Sequence, residues 1–149
     1  MADPAIGAFG AIAVGAVLLL RFAALATQPP SVFALAGLWC ASRTLMVTLT
    51  KFLPYARPDG LVQDFLGDQE TRRQRWATFT SIVFGLLLSG TFLVIAKGAK
   101  GLGALAGELV AMALVGALSS RRIDGYTGDV LGAAGVIGET VGLLILVTR

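Results

Sequence analysis

Histidine is absent from this 149-residue sequence, which removes imidazole as a catalytic base and as a metal ligand. Any metal must then be held by oxygen, a donor set that suits magnesium, manganese or calcium better than zinc. Cysteine occurs once, as Cys40 inside an apolar run, so no disulfide can form within the chain. Charge is scarce too. Only 14% of the residues are charged while 56% are hydrophobic, and the mean hydropathy is +0.80. A soluble domain of this length could not cover its surface with so few charges. The N-terminus has no basic region and carries Asp3, so it does not read as a signal peptide. The net charge of +3 comes from basic residues beside apolar runs rather than from a continuous stripe, so nucleic acid is not an expected partner. No repeat recurs at a fixed period.

What the chain does have is a series of apolar runs of roughly twenty residues, the length that spans a bilayer. They predict an all-α fold, a polytopic membrane helix bundle of about five transmembrane helices, in one integral-membrane domain over residues 1–149. The first span covers residues 6–27 and stops at Gln28-Pro29-Pro30; Ser31 caps a second that runs to residue 50. A long polar loop occupies residues 51–75, where Leu61, Val62, Phe65 and Leu66 share one face of a short surface helix. Trp76 opens the third span at interface level, and that span reaches residue 96. Residues 97–101 form a tight turn, the fourth span covers 102–118, and the fifth covers 130–147. The nineteen glycines fit such a bundle, because small residues let helices approach closely in lipid.

Five spans put the N-terminus, the long loop and residues 121–129 at one membrane face. That face holds Lys51, Arg57, Arg72, Arg73, Arg75, Arg121 and Arg122, whereas the other holds Lys97, Lys100 and Arg149. The positive-inside tendency makes the first face cytoplasmic. Arg21, Arg43, Glu108 and Glu139 fall inside the spans. A lone charge at mid-bilayer costs roughly 3 kcal/mol, so each needs a partner. Counted at 1.5 Å per residue, Arg43 and Glu139 lie roughly 12–15 Å below the cytoplasmic face, and Arg21 and Glu108 roughly 10 Å from the other. Depth therefore predicts two pairs, Arg43 with Glu139 and Arg21 with Glu108.

Between the fourth and fifth spans sits a polar island, residues 121–133. Asp124 and Asp129 stand among glycines and hydroxyl groups, with Arg121 and Arg122 just upstream. A helix cap at Thr127 or Asp129, with Gly125 and Gly128 making a turn, accounts for part of this pattern. One cap does not require Asp124, Asp129, Tyr126 and Thr127 together. Carboxylates at a membrane surface can hold a divalent cation, and arginines with free backbone N–H groups can hold phosphate. Two further stretches stand out: Tyr55-Ala56-Arg57-Pro58-Asp59-Gly60 in the long loop, and residues 1–10, where Asp3-Pro4 is a sound helix start.

Taken together these stretches resemble the cobalamin synthases. Residues 55–60 with Leu61 resemble that family's loop motif, and residues 125–133, reading GYTGDVLGA, closely resemble its C-terminal motif. Residues 1–10 resemble a third motif, in which the family normally carries Met-Lys-Asp-Ser-Arg-Ile-Gly followed by a second glycine. Ser42-Arg43 and Glu139 fall where such proteins have a Ser-Arg pair and a late acidic residue. The resemblance implies a magnesium-dependent adenosylcobinamide-GDP ribazoletransferase of the bacterial inner (plasma) membrane. Such an enzyme joins alpha-ribazole, or its phosphate, to adenosylcobinamide-GDP and releases GMP, late in cobalamin biosynthesis. On that reading Asp59, Asp124 and Asp129 bind Mg2+; Arg57, Arg122, Tyr126 and Thr127 bind substrate; and Asp3, Arg43 and Glu139 are the catalytic candidates.

The expected partners are the two substrates and membrane lipid, with a homo-oligomer left open. Two departures accompany the resemblance. Pro4 and Ala5 replace the family's Ser-Arg, and family chains extend upstream through an Asp-Gly-rich acidic motif. The sequence is therefore read as the C-terminal part of a longer family domain. Two other readings compete. A CDP-alcohol phosphotransferase-like protein is disfavoured because that family's longer array of spaced aspartates is missing. A small membrane transporter or assembly subunit predicts that the four intramembrane charges line one aqueous route.

Overall fold

A computed structural model of the chain describes residues 7–27, 31–56 and 72–148. The short surface helix expected near residues 61–66 lies outside the described residues. Five α-helices account for nearly all that is described: α1 (Ala8–Ala26), α2 (Val32–Phe52), α3 (Arg72–Lys97), α4 (Ala99–Ile123) and α5 (Gly128–Val147). All five are long and apolar enough to cross a membrane, so the chain is a multi-pass membrane protein with an all-α fold. One end of the bundle, the loop end, carries residues 53–56, the start of α3 and residues 124–127.

The helices overrun the apolar runs that mark them. α3 begins at Arg72, four residues before Trp76, and α4 continues to Ile123 instead of stopping near residue 118. Hydropathy records only the lipid-immersed part of a helix, whereas backbone hydrogen bonding continues until something ends it. In α4, Arg121 and Arg122 belong to the last turn, where cations favour the helix terminus. The expected turn over residues 97–101 shrinks to Gly98, whose φ of 57° requires glycine. At the start of α2 the Ser31 hydroxyl accepts from the Ala34 amide at 3.3 Å, as its position suggested.

Packing is centred on α5, which lies against α4, α2 and α1. Its buried face carries Gly135, Gly138 and Gly142, and a methyl group at any of them would collide with Met46, Met112 or Leu38 respectively. This is close approach through small residues, the main source of helix association in lipid. Buried hydroxyls add to it: Ser89 donates to the Gly37 carbonyl at 2.8 Å and ties α3 to α2. By contrast α1 is peripheral. It packs mainly on α5, only Ala24 is buried, and residues such as Phe9 and Phe22 are exposed.

The α3–α4 hairpin supplies a clean test of this packing. A Cβ on Gly101 would overlap the Leu93 backbone, while one on Gly103 meets only Ile145 at an ordinary 3.8 Å. Gly101→Ala should therefore destabilise the detergent-solubilised protein by roughly 1–3 kcal/mol. Gly103→Ala should be neutral or stabilising, by at most about 1 kcal/mol. Thermal denaturation of both variants gives the comparison, and equal midpoints would contradict the close hairpin.

Candidate functional site

The site begins where α2 stops. Pro54 has no amide hydrogen and cannot extend the helix, and Leu53 is already extended with its amide bonded to the Leu49 carbonyl at 3.0 Å. The chain then runs beside the polar island. Ala56 donates its amide to the Tyr126 carbonyl at 2.9 Å, and Tyr126 donates its own to the Pro54 carbonyl at 2.9 Å. These two bonds form an isolated parallel bridge between Tyr55 and Tyr126, and the two rings meet edge to face at 5.4 Å. Thus the beginning of the loop motif and the C-terminal motif are stitched together at one end of the bundle.

Each residue of the island has a definable task. Asp124 takes the left-handed conformation (φ 55°, ψ 26°) that ends α4, one that aspartate tolerates better than most residues. Gly125 passes so close to Pro54 that any Cβ would overlap the Pro54 carbonyl, and Ser119 donates its hydroxyl to the Gly125 carbonyl. Thr127 is the N-cap of α5, its Oγ1 accepting from the Val130 amide at 3.4 Å. Gly128, expected in the turn, is instead the first helical residue and has open space around it. Tyr126 is 2% exposed, and its hydroxyl finds no hydrogen-bond partner among the described residues. Burial, and then the neighbouring Tyr55, push its phenol above the ordinary value, with Lys51 opposing them.

Asp124, Asp129, Arg121 and Arg122 are all exposed around this stitched loop. Asp129 lies in the first turn of α5, where a carboxylate is favoured by the helix dipole. The chain passes from Ala56 into residues 57–71, so the expectations for Arg57 and Asp59 lie outside the described residues, as does that for Asp3. Among the described residues no three acidic or sulfur side chains gather into a metal cage. The donors present still fit magnesium by type. It takes hard oxygen ligands, keeps several waters, and is often held by one or two carboxylates together with substrate phosphates.

Deeper in the bundle the charges pair differently from the depth argument. Arg21 reaches Glu139, with Nη2 at 2.9 Å from Oε2. Arg43 Nη2 lies 3.6 Å from Glu139 Oε1, an ion pair but too long for a hydrogen bond. One carboxylate thus serves two arginines, and the expected Arg21–Glu108 pair does not form. The reason is lateral position: α1 packs on α5, which carries Glu139, rather than on α4, which carries Glu108. An arginine side chain is long enough to bridge the small difference in depth. Glu108 is wholly buried beside Gly138 and Gly142, and neither of its oxygens has a partner among the described residues. Ser42 Oγ is likewise buried without one. The Arg43 side chain is 68% exposed, and its Nη1 approaches Met46 Sδ at 3.3 Å.

Sequence reasoning missed Pro54 and Ser119, whose roles run through backbone carbonyls. The one available signal was Pro54 itself, at the end of an apolar run.

The family model described as cobalamin-5-phosphate synthase matches residues 1–147. A protein of Chlorobaculum tepidum named adenosylcobinamide-GDP ribazoletransferase is 34% identical over 93% of the chain and 54% of its own length. One of the same name from Citrobacter koseri is 34% identical over 98% of the chain and 58% of its length. Another, from Chlorobium chlorochromatii, is 35% identical over 93% and 54%. The chain therefore spans a little over half the length of these curated relatives. No solved structure matches it.

Two predictions follow from the geometry. Gly125→Ala should break the bridge, costing roughly 2 kcal/mol and speeding hydrogen exchange at the Ala56 and Tyr126 amides, while Gly128→Ala leaves both unchanged. Unaltered exchange in Gly125→Ala would mean that the bridge does not depend on that contact. Glu139→Gln leaves two arginines without their carboxylate. It should cost on the order of 3 kcal/mol, as expected for charges left unanswered at membrane depth. Arg21→Gln should cost more than Arg43→Gln in detergent denaturation, and the reverse order would contradict the pairing described.

Proposed function

The chain belongs to the cobalamin-5-phosphate synthase family, and on that footing we propose that it carries the reacting face of a magnesium-dependent adenosylcobinamide-GDP ribazoletransferase. The single observation behind this reading is the Tyr55–Tyr126 bridge, which brings the chain leading into Arg57 and Asp59 to the loop that holds Asp124 and Asp129. A hydroxyl of alpha-ribazole, or of its phosphate, attacks a phosphorus of adenosylcobinamide-GDP. A new P–O bond forms as the hydroxyl releases its proton to water, the phosphorus–oxygen bond to GMP breaks, and GMP leaves. The groups that surround the phosphorus are negatively charged, so the site must supply positive charge and alignment.

In this proposal Asp124 and Asp129, with Asp59, hold Mg2+, which when bound neutralises the diphosphate and steadies the leaving phosphate. Arg122 and Arg57 contact the diphosphate, and Tyr126 and Thr127 shape the floor beneath it. Arg43, being the exposed member of the intramembrane triad, is the one with freedom to meet an anion, and Glu139 orients it. Asp3 joins as a hydroxyl-orienting group. The excess of cations at the loop end, with Lys51, Arg72, Arg73, Arg75, Arg121 and Arg122 against Lys97 and Lys100 opposite, supports a cytoplasmic position for that end, and kinship with bacterial relatives supports the bacterial inner membrane. The transport reading is not favoured, since Glu108 is sealed from any open route and Arg21 is bound to Glu139.

GMP release by membranes bearing this chain, supplied with adenosylcobinamide-GDP and alpha-ribazole, tests the proposal. Release should require Mg2+, stop on chelation, and fall at least about 100-fold in Asp129→Asn and Asp124→Asn. Wild-type turnover in Asp129→Asn would remove that residue from the site. Absence of release by the unaltered chain would overturn the reading for it.

A further inference from the structure

A separate feature lies at the loop end, between α2 and α3. A cavity of about 330 Å³ opens there, lined by Thr48, Lys51 and Phe52 of α2 and by Arg75, Thr78, Phe79 and Ile82 of α3. A second opening of about 600 Å³ adjoins it and shares Arg75 and Phe79, with Arg72 and Trp76 above. The composition is graded along the helix axis. Arg72, Arg75, Phe79 and Ile82 recur at helical spacing on one side of α3, so over about 15 Å the lining passes from guanidinium to aromatic to aliphatic. On α2, Lys51 and Phe52 stand at the helix end and Thr48 about one turn deeper.

We propose that this cleft is a binding site for an anionic membrane phospholipid, with its phosphodiester held between Lys51 and Arg75 and an acyl chain lying along Phe79 and Ile82. Each part of the lipid meets the chemistry it needs. The phosphate meets two cations and the chain meets an apolar wall, while the Thr48 and Thr78 hydroxyls between them donate to their own helices, to the Thr44 and Gln74 carbonyls. Trp76 and Phe79 pack edge to face at 6.4 Å and are more than half exposed, as interfacial aromatic side chains are. A water-soluble nucleotide would leave the lower, apolar part of the cleft unmatched. The cleft is lined by α2 and α3, and only its Lys51 end borders the stitched loop, where Lys51 also acts on Tyr126.

Native mass spectrometry of the protein in neutral detergent measures retention directly, with phosphatidylglycerol, phosphatidylcholine or inorganic phosphate added. Phosphatidylglycerol should be retained roughly tenfold or more over phosphatidylcholine, and the double variant Lys51→Gln/Arg75→Gln should erase that preference. Lys100→Gln, at the opposite end, should keep it. Ile82→Trp fills the lower cleft with both cations intact and should also reduce retention, which separates loss of the site from loss of folding. Equal retention of the two lipids, or a full preference in the double variant, would overturn the proposal. So would displacement of the lipid by inorganic phosphate at equal concentration, because the acyl chain would then contribute nothing.

Discussion

A charged carboxylate in a bilayer is costly unless a cation stands beside it, and Glu139 is where this chain supplies that partner. Arg21 and Arg43 come to it from two different helices, so the one acid fixes α1 and α2 against α5. The glycines on the same face of α5 make the approach close enough for this to happen. Neither element suffices alone. Without the small residues the helices would stand too far apart, and without the charges a glycine face would set distance but leave rotation weakly specified. The peripheral α1 shows the difference. It has little buried surface, and its Arg21–Glu139 hydrogen bond is the most specific contact that holds its orientation.

The loop end repeats the arrangement at a different level. α2 and α5 meet through Arg43 and Glu139 inside the membrane and again through Pro54, Ala56 and Tyr126 at its surface. Roughly 15 Å of helix separates the two ties. Two fixed points along a helix pair define both register and rotation, so the loop that follows α2 is delivered to the island rather than left to find it. The backbone bonds explain why the island contains Gly125, since only a residue without a side chain can pass under the Pro54 carbonyl. They also leave the acidic side chains out of the stitching, so that Asp124 and Asp129 remain exposed and available.

How much of this could be read from residues depends on the kind of force involved. The five helices were legible because lipid imposes a long apolar run on each of them. Ser31 was legible as a cap because a hydroxyl before a helix has few other tasks, whereas the cap of α5 stayed open between Thr127 and Asp129 until the backbone placed it at Thr127. The partner of Arg21 was not, because depth along the membrane normal is one coordinate and pairing needs two more. Only the packing of α1 on α5 supplies them. The ends of α3 and α4 were misplaced because polar residues such as Arg72 and Arg122 continue a helix without any hydropathy signal. The Tyr55–Tyr126 bridge was invisible for a further reason. It is made by backbone groups, which every residue carries.

Glu108 is the residue this framework explains least directly, and it marks where the constraint binds hardest. It is as deeply buried as any side chain described, stands opposite the glycine face of α5, and has Glu139 for its charged neighbour. The two arginines that could have answered it are engaged at Glu139 instead. With Arg21, Arg43, Glu108 and Glu139 taken as one group, positive and negative members are equal in number, yet the cations cluster on one acid. A symmetrical pairing would lock four helices, whereas the pairing observed leaves Arg43 largely exposed at 3.6 Å from its acid. That looseness leaves one cation able to move without unfastening α1 from α5, because Arg21 alone carries the hydrogen bond to Glu139.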